Sequence, residues 1–106
     1  MISEKAIEEA VRTLAMAAHP SKIILFGSYA RGDARDDSDL DLLVIEPEVP
    51  HKRNEMVRLR NLLRPMRIPV DVLVMSEQEV EDWGHLPGTA LYWALKEGKA
   101  LHEAIH

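Results

Sequence analysis

The chain of 106 residues contains no cysteine. Disulfides, thiolate catalysis and cysteine-ligated zinc are thereby excluded, which agrees with a cytoplasmic address. Nor is there an apolar run approaching the length of a membrane span. Met1-Ile2-Ser3-Glu4-Lys5 lacks the basic-then-apolar order of a secretory signal, so neither membrane insertion nor export is expected. Basic excess is missing too. With a formal net charge of -5 the chain is unsuited to gripping long nucleic acid by counterion release. No repeat, linker or low-complexity segment divides it, and its length holds one core but not two, so a single domain is expected over residues 1–106. The balance of 46% hydrophobic and 29% charged residues is that of a soluble globular protein.

The charges that are present cluster. Asp33, Asp36, Asp37, Asp39 and Asp41 fall within nine residues, against Arg35 alone. Such a group repels itself unless cations enter it. The bases gather instead between His51 and Arg67, where Lys52, Arg53, Arg58, Arg60, Arg64 and Arg67 face the single acid Glu55.

Ser3 caps a predicted helix to about Ala18, whose Ile7, Ala10, Val11, Leu14, Ala15 and Ala18 form one apolar stripe, and His19-Pro20-Ser21 ends it. Lys22 to Phe26 reads as a buried strand, Tyr29 to Gly32 as one helical turn, and Asp33 to Ser38 as a polar loop. Asp39 to Ile45 reads as a second strand, with Leu40, Leu42 and Val44 on one face and Asp39, Asp41, Leu43 and Ile45 on the other. A helix near His51 to Met66 follows, then a strand over Val70 to Met75. Ser76 with Glu79 forms a capping-box signature for a short helix ending near Trp83. Gly84 to Gly88 is loop, Thr89 to Glu97 a last helix closed by Gly98, and Ala100-Leu101-His102 a terminal strand. The order gives an α+β fold, a small mixed β-sheet with helices packed on it.

Asp39 and Asp41 leave the same face of their strand with α-carbons about 6.5 to 7 Å apart. Both can therefore reach one hard divalent ion such as magnesium, which keeps waters or substrate phosphates as its other ligands. Asp71 interrupts an otherwise apolar strand, where a charge is costly unless paired. If that strand lies beside the Asp39 to Ile45 strand, three carboxylates converge. A second ion about 3.5 to 4 Å from the first then completes a two-metal clamp for phosphoryl or nucleotidyl displacement. Gly27-Ser28 supplies the anion half: glycine admits close approach, the serine hydroxyl donates to phosphate, and the helical turn points amides at it. Arg31, three residues after Ser28, adds a charge-assisted phosphate contact. The set reads as a seat for a metal-bound nucleoside triphosphate.

Gly27-Ser28-Tyr29-Ala30-Arg31-Gly32, followed by Ser38-Asp39-Leu40-Asp41-Leu42, resembles the signature of the minimal nucleotidyltransferases of the DNA polymerase beta superfamily, the MNT antitoxins paired with HEPN toxins. The resemblance covers nearly the whole chain. It implies a polymerase-beta-like nucleotidyltransferase core in which Gly27 and Ser28 hold the triphosphate and Asp39, Asp41 and Asp71 bind magnesium. It further implies transfer of AMP from ATP to a hydroxyl, namely a tyrosine of a HEPN ribonuclease, within a hetero-oligomer. Two alternatives remain: an antitoxin acting by occlusion, and a nucleotidyltransferase for a small hydroxylated molecule or an RNA end. The second suffers from size, since a 12.0 kDa domain has little left for an acceptor pocket.

Elsewhere the arginine-rich helix presents a solvated face, and Leu91-Tyr92-Trp93-Ala94-Leu95 reads as partly covered by a partner, with Trp93 or Tyr92 as anchor. Trp83 and the five methionines are expected in the core. His19, His51, His85, His102 and His106 show no ligand spacing and receive no catalytic role.

Overall fold

Each predicted element forms, with boundaries moved by a residue or two. The computed structural model describes residues 1–104; His106 lies outside that range. Helix α1 (Glu4–Ala18) begins where the Ser3 hydroxyl accepts the Ala6 amide and ends on left-handed His19, whose amide bonds back to Ala15. Strand β1 (Lys22–Phe26), the single turn α2 (Ser28–Arg31) and strand β2 (Leu40–Glu46) follow. Helix α3 (Lys52–Leu63) tightens into a 3-10 turn, Arg64–Met66, just where Pro65 removes a backbone donor. Strand β3 (Val70–Ser76) runs into α4 (Glu77–Trp83) through the expected capping box, in which Ser76 and Glu79 satisfy each other's amides. Helix α5 (Ala90–Glu97), capped by Thr89, leads to strand β4 (Lys99–Glu103).

The four strands form one mixed sheet in the order β3-β2-β1-β4. β1 pairs antiparallel with β2 and β4, and β2 pairs parallel with β3. Alternation along β1 and β2 sends side chains to two cores. On one face Ile23, Leu25, Leu40, Leu42 and Val44 pack with Ala10, Val11 and Leu14 of α1 and Leu59 and Leu63 of α3. On the other, Ile24, Leu43 and Ile45 pack with Leu91 and Ala94 of α5. The division of β2 residues between faces is the one the alternation predicts.

Gly98 lets the end of α5 lie against β1: a Cβ there would press into the Ala94 carbonyl, the Ile24 side chain and the Leu25 carbonyl. That close approach carries α5 across the sheet face from which Asp41 projects.

Three expectations are corrected. Trp83 is 56% exposed rather than core, because the seven-residue α4 presents Val80, not its last residue, to the sheet. Met1 and Met16 are also exposed, Met16 because it falls on the outer side of α1, whereas Met56, Met66 and Met75 do pack on the cores. Asp71 is exposed as well. β3 is an edge strand, so the Asp71 charge stays in solvent, free of a burial penalty and of the need for a partner.

Candidate active site

The end of β1 and the start of β2 meet at one edge of an open cavity of about 460 Å³. Phe26 pairs with Asp41, so the turn that follows Phe26 sits directly over the Asp41 carboxylate. Gly27 takes a left-handed φ of 73°, and a Cβ there would collide with the Asp41 carboxylate, whose Cγ would lie 3.1 Å away. Glycine is thus required twice, by its backbone and by its neighbour. The amides of Ala30 and Arg31 both bond to the Gly27 carbonyl, which leaves those of Ser28 and Tyr29 to meet an anion.

Gly27, Ser28, Arg31, Asp39 and Asp41 all line this cavity. Asp71 does not line it, but parallel register sets Asp71 directly beside Asp41 on the neighbouring strand. The Asp41 carboxyl is raised above its ordinary value first by burial, then by the charges of Asp71 and Asp39, with Arg31 opposing. Arg31 is itself engaged with Asp33, its Nε donating to Oδ2 at 3.3 Å. Asp33, Asp36, Asp37 and Asp39 are exposed.

Among the described residues no three His, Cys, Asp or Glu side chains form a ready-made metal cage. The donors nevertheless fit a hard divalent cation, because two adjacent carboxylates with a left-over repulsion, beside a cradle kept open by glycine, leave the remaining positions to water and phosphate as magnesium prefers. Ser38, Phe26, Ala90, Trp93 and Glu97 complete the cavity. Sequence reasoning assigned none of these to the site. Trp93 and Glu97 lie four apart on one helix face, but no local signal says that this face bends over the end of β1.

A second carboxyl group sits at the far end of β2. Glu46 is 7% exposed, and its Oε2 has no hydrogen-bond partner. Its carboxyl is pushed up to about 7 by burial and then by the neighbouring Glu55. Glu55 is held in its charged form by Arg58, whose Nε and Nη2 donate to its two oxygens at 2.7 and 2.8 Å. A larger groove of about 1060 Å³ lies between α1 and β4, lined by apolar Ile2, Ile7, Val11 and Leu101. Its size is not matched by convergent carboxylates, so the chemistry points to the smaller cavity.

A glycine-serine turn facing paired carboxylates on a mixed sheet has the donors to seat a metal-bound phosphate chain. The chain belongs to the nucleotidyltransferase domain family, matching it over residues 4–103. Two relatives from Methanocaldococcus jannaschii carry the provisional name protein adenylyltransferase. One is 51% identical over 47 residues, 42% of this chain and 47% of the relative, and the other 30% identical over 73 residues, 59% of this chain and 74% of the relative. The chain therefore spans under half of the first relative's length and about three quarters of the second's. A solved structure described provisionally as a minimal nucleotidyltransferase is 33% identical, with a TM-score of 0.58 over 90% of this chain and 89% of that one. A toxin-antitoxin structure with AMP-PNP shares the fold at 20% identity and a TM-score of 0.64, over 92% of this chain and 73% of that one.

Proposed function

We propose that residues 1–106 work as one nucleotidyltransferase domain that transfers AMP from ATP to a protein hydroxyl, with magnesium, as the antitoxin of a toxin-antitoxin pair in the cytoplasm. The observation that carries this reading is the position of Asp41, beneath the open Gly27 turn and level with Asp71. Gly27, Ser28 and Arg31 hold the triphosphate, and Asp39, Asp41 and Asp71 hold two ions. When bound, the metal neutralises the phosphates and acidifies the acceptor hydroxyl.

The protein's own groups then divide the work. Ser28 and the turn amides take charge that develops on the departing pyrophosphate. Asp71, exposed at the sheet edge, accepts the proton of the incoming hydroxyl. The hydroxyl oxygen bonds to the α-phosphorus, the bond to the bridging oxygen breaks, and pyrophosphate leaves. The relatives' names support protein as the acceptor, and the toxin-antitoxin neighbour supports a toxin partner. The resemblance narrows that partner to a HEPN ribonuclease and the acceptor to a tyrosine.

A second reading is an antitoxin that acts by occlusion and uses its site only to sense nucleotide. Both are tested by mixing the protein with α-labelled ATP, magnesium and the product of the adjacent reading frame. Transferred label, mapped to one hydroxyl and lost with Asp41→Asn, is the expected result. Full protection from the toxin by Asp41→Asn at ordinary expression would favour occlusion.

A further inference from the structure

The cavity has two unlike walls. Gly27, Ser28 and Arg31 form one; Ala90, Trp93 and Glu97 of α5 form the other. Phosphate suits only the first, because the Glu97 carboxylate repels anions from the second. The sheet order adds a direction. Asp71 lies on β3, one strand to one side of Asp41, whereas the Gly27-Ser28 turn ends β1, one strand to the other side. Helix α5 packs chiefly on the β1 side, its Leu91 and Ala94 sharing one core with Ile24, Leu43 and Ile45. An in-line transfer places attacking and leaving oxygens on opposite sides of phosphorus, so an acceptor served by Asp71 approaches away from α5. The α5 wall is left to the donor nucleotide.

Trp93 is 48% exposed on that wall. Its ring is set before any ligand arrives: it meets Tyr92 edge to face, centroids 5.2 Å apart at 83°, and the Tyr92 hydroxyl accepts from Lys96 Nζ at 3.0 Å. An oriented, solvent-facing indole is a stacking platform, since every base has a π-face. We propose that Trp93 stacks on the base of the donor nucleotide and so fixes the adenosine end while Ser28 and Arg31 fix the phosphates. This rests on the nucleotidyltransferase reading and assigns Trp93 to the donor rather than to a partner protein.

Trp83, the other tryptophan, lies outside the cavity, so Trp83→Phe leaves Trp93 as sole indole fluorophore. That variant is titrated, with magnesium, against a non-hydrolysable ATP analogue and separately against inorganic tripolyphosphate, by fluorescence and calorimetry. The analogue is expected to quench Trp93 emission, and tripolyphosphate to leave it nearly unchanged. Trp93→Ala in the otherwise native chain is expected to weaken the analogue about 5- to 100-fold and to leave tripolyphosphate affinity within about twofold, with Trp93→Phe restoring most of the loss. Equal loss for both ligands, or no loss for the analogue, overturns the assignment while leaving the nucleotidyltransferase reading intact. Unchanged analogue binding with lost capture of the adjacent reading frame's product would make Trp93 a docking anchor instead. Failure of the unsubstituted protein to bind either ligand overturns both readings.

Discussion

Strand β2 carries a carboxyl cluster at each end. At its carboxyl end Glu46 lies buried beside Glu55, and Arg58 supplies the countercharge, gripping Glu55 with two donors. At its amino end Asp41 is level with Asp71 in the register, Asp39 lies just ahead of the strand, and Arg31, which lines the same cavity, is already paired with Asp33. Burial raises both Asp41 and Glu46, but Arg58 is locked onto its cluster by two donors, whereas the opposing charge of Arg31 leaves the Asp41 carboxyl still raised. A structural cluster closes its electrostatics within the chain, whereas the amino-end cluster leaves repulsion for an outside cation to relieve.

The sharpest way to break this contrast is Asp41→Asn. Label transfer is expected to fall about a thousandfold or more, in line with losing a group that stabilises transition-state charge. The unliganded fold is expected to be as stable or slightly more so, because a repelling charge is gone. Marked unfolding, read by circular dichroism, would make Asp41 structural and erase the difference between the two ends.

Gly27→Ala comes next. A methyl at a left-handed φ of 73° and against the Asp41 carboxylate is expected to cost about 1–3 kcal/mol of stability and to abolish nucleotide binding. Denaturant midpoints and calorimetry check the two parts separately.

The carboxyl end gives a smaller, pH-dependent effect. Glu46 has a folded value of about 7 against 4.5 for its ordinary value. Between these the folded state binds more protons than the unfolded one, so this group lowers stability as pH rises from 4.5 towards 7 and then levels off. Glu46→Gln removes the charge and can donate to Glu55. It is expected to raise the melting midpoint at alkaline pH by a few degrees, about 1 kcal/mol, and to change it little in acid. Equal shifts at both would refute the buried-proton description.

Arg31→Ala is expected to have the smallest effect. The ion pair with Asp33 is exposed and contributes little to stability, so the midpoint stays within about 0.5 kcal/mol. The KM for ATP rises severalfold if Arg31 reaches a phosphate, measurable by initial rates across ATP concentration.

Much of this was legible in the sequence, for definite reasons. Leu40, Leu42 and Val44 alternate with Asp41, Leu43 and Ile45, and period two alone divides the faces of β2. Ser3 and the Ser76–Glu79 box fixed helix starts because capping chemistry is local. What was not legible depends on distant packing. Val70 to Met75 reads as an apolar strand interrupted by Asp71, but only the sheet order reveals an edge and hence an exposed Asp71. Glu46 carries no sequence signal of its burial, which arises only when α3 folds over it and brings Glu55 and Arg58. Trp93 and Trp83 are one residue type on short helices, and nothing local tells that Trp93 faces the cavity and Trp83 does not.

The most direct test of the contrast is the melting midpoint with magnesium alone, with an ATP analogue alone and with both together, for the native protein, Asp39→Asn and Asp41→Asn. A joint shift larger than the sum of the separate ones, present in the native protein and absent in both variants, is the expected result. Equal shifts in all three proteins would show that the acidic start of β2 holds no metal-nucleotide complex.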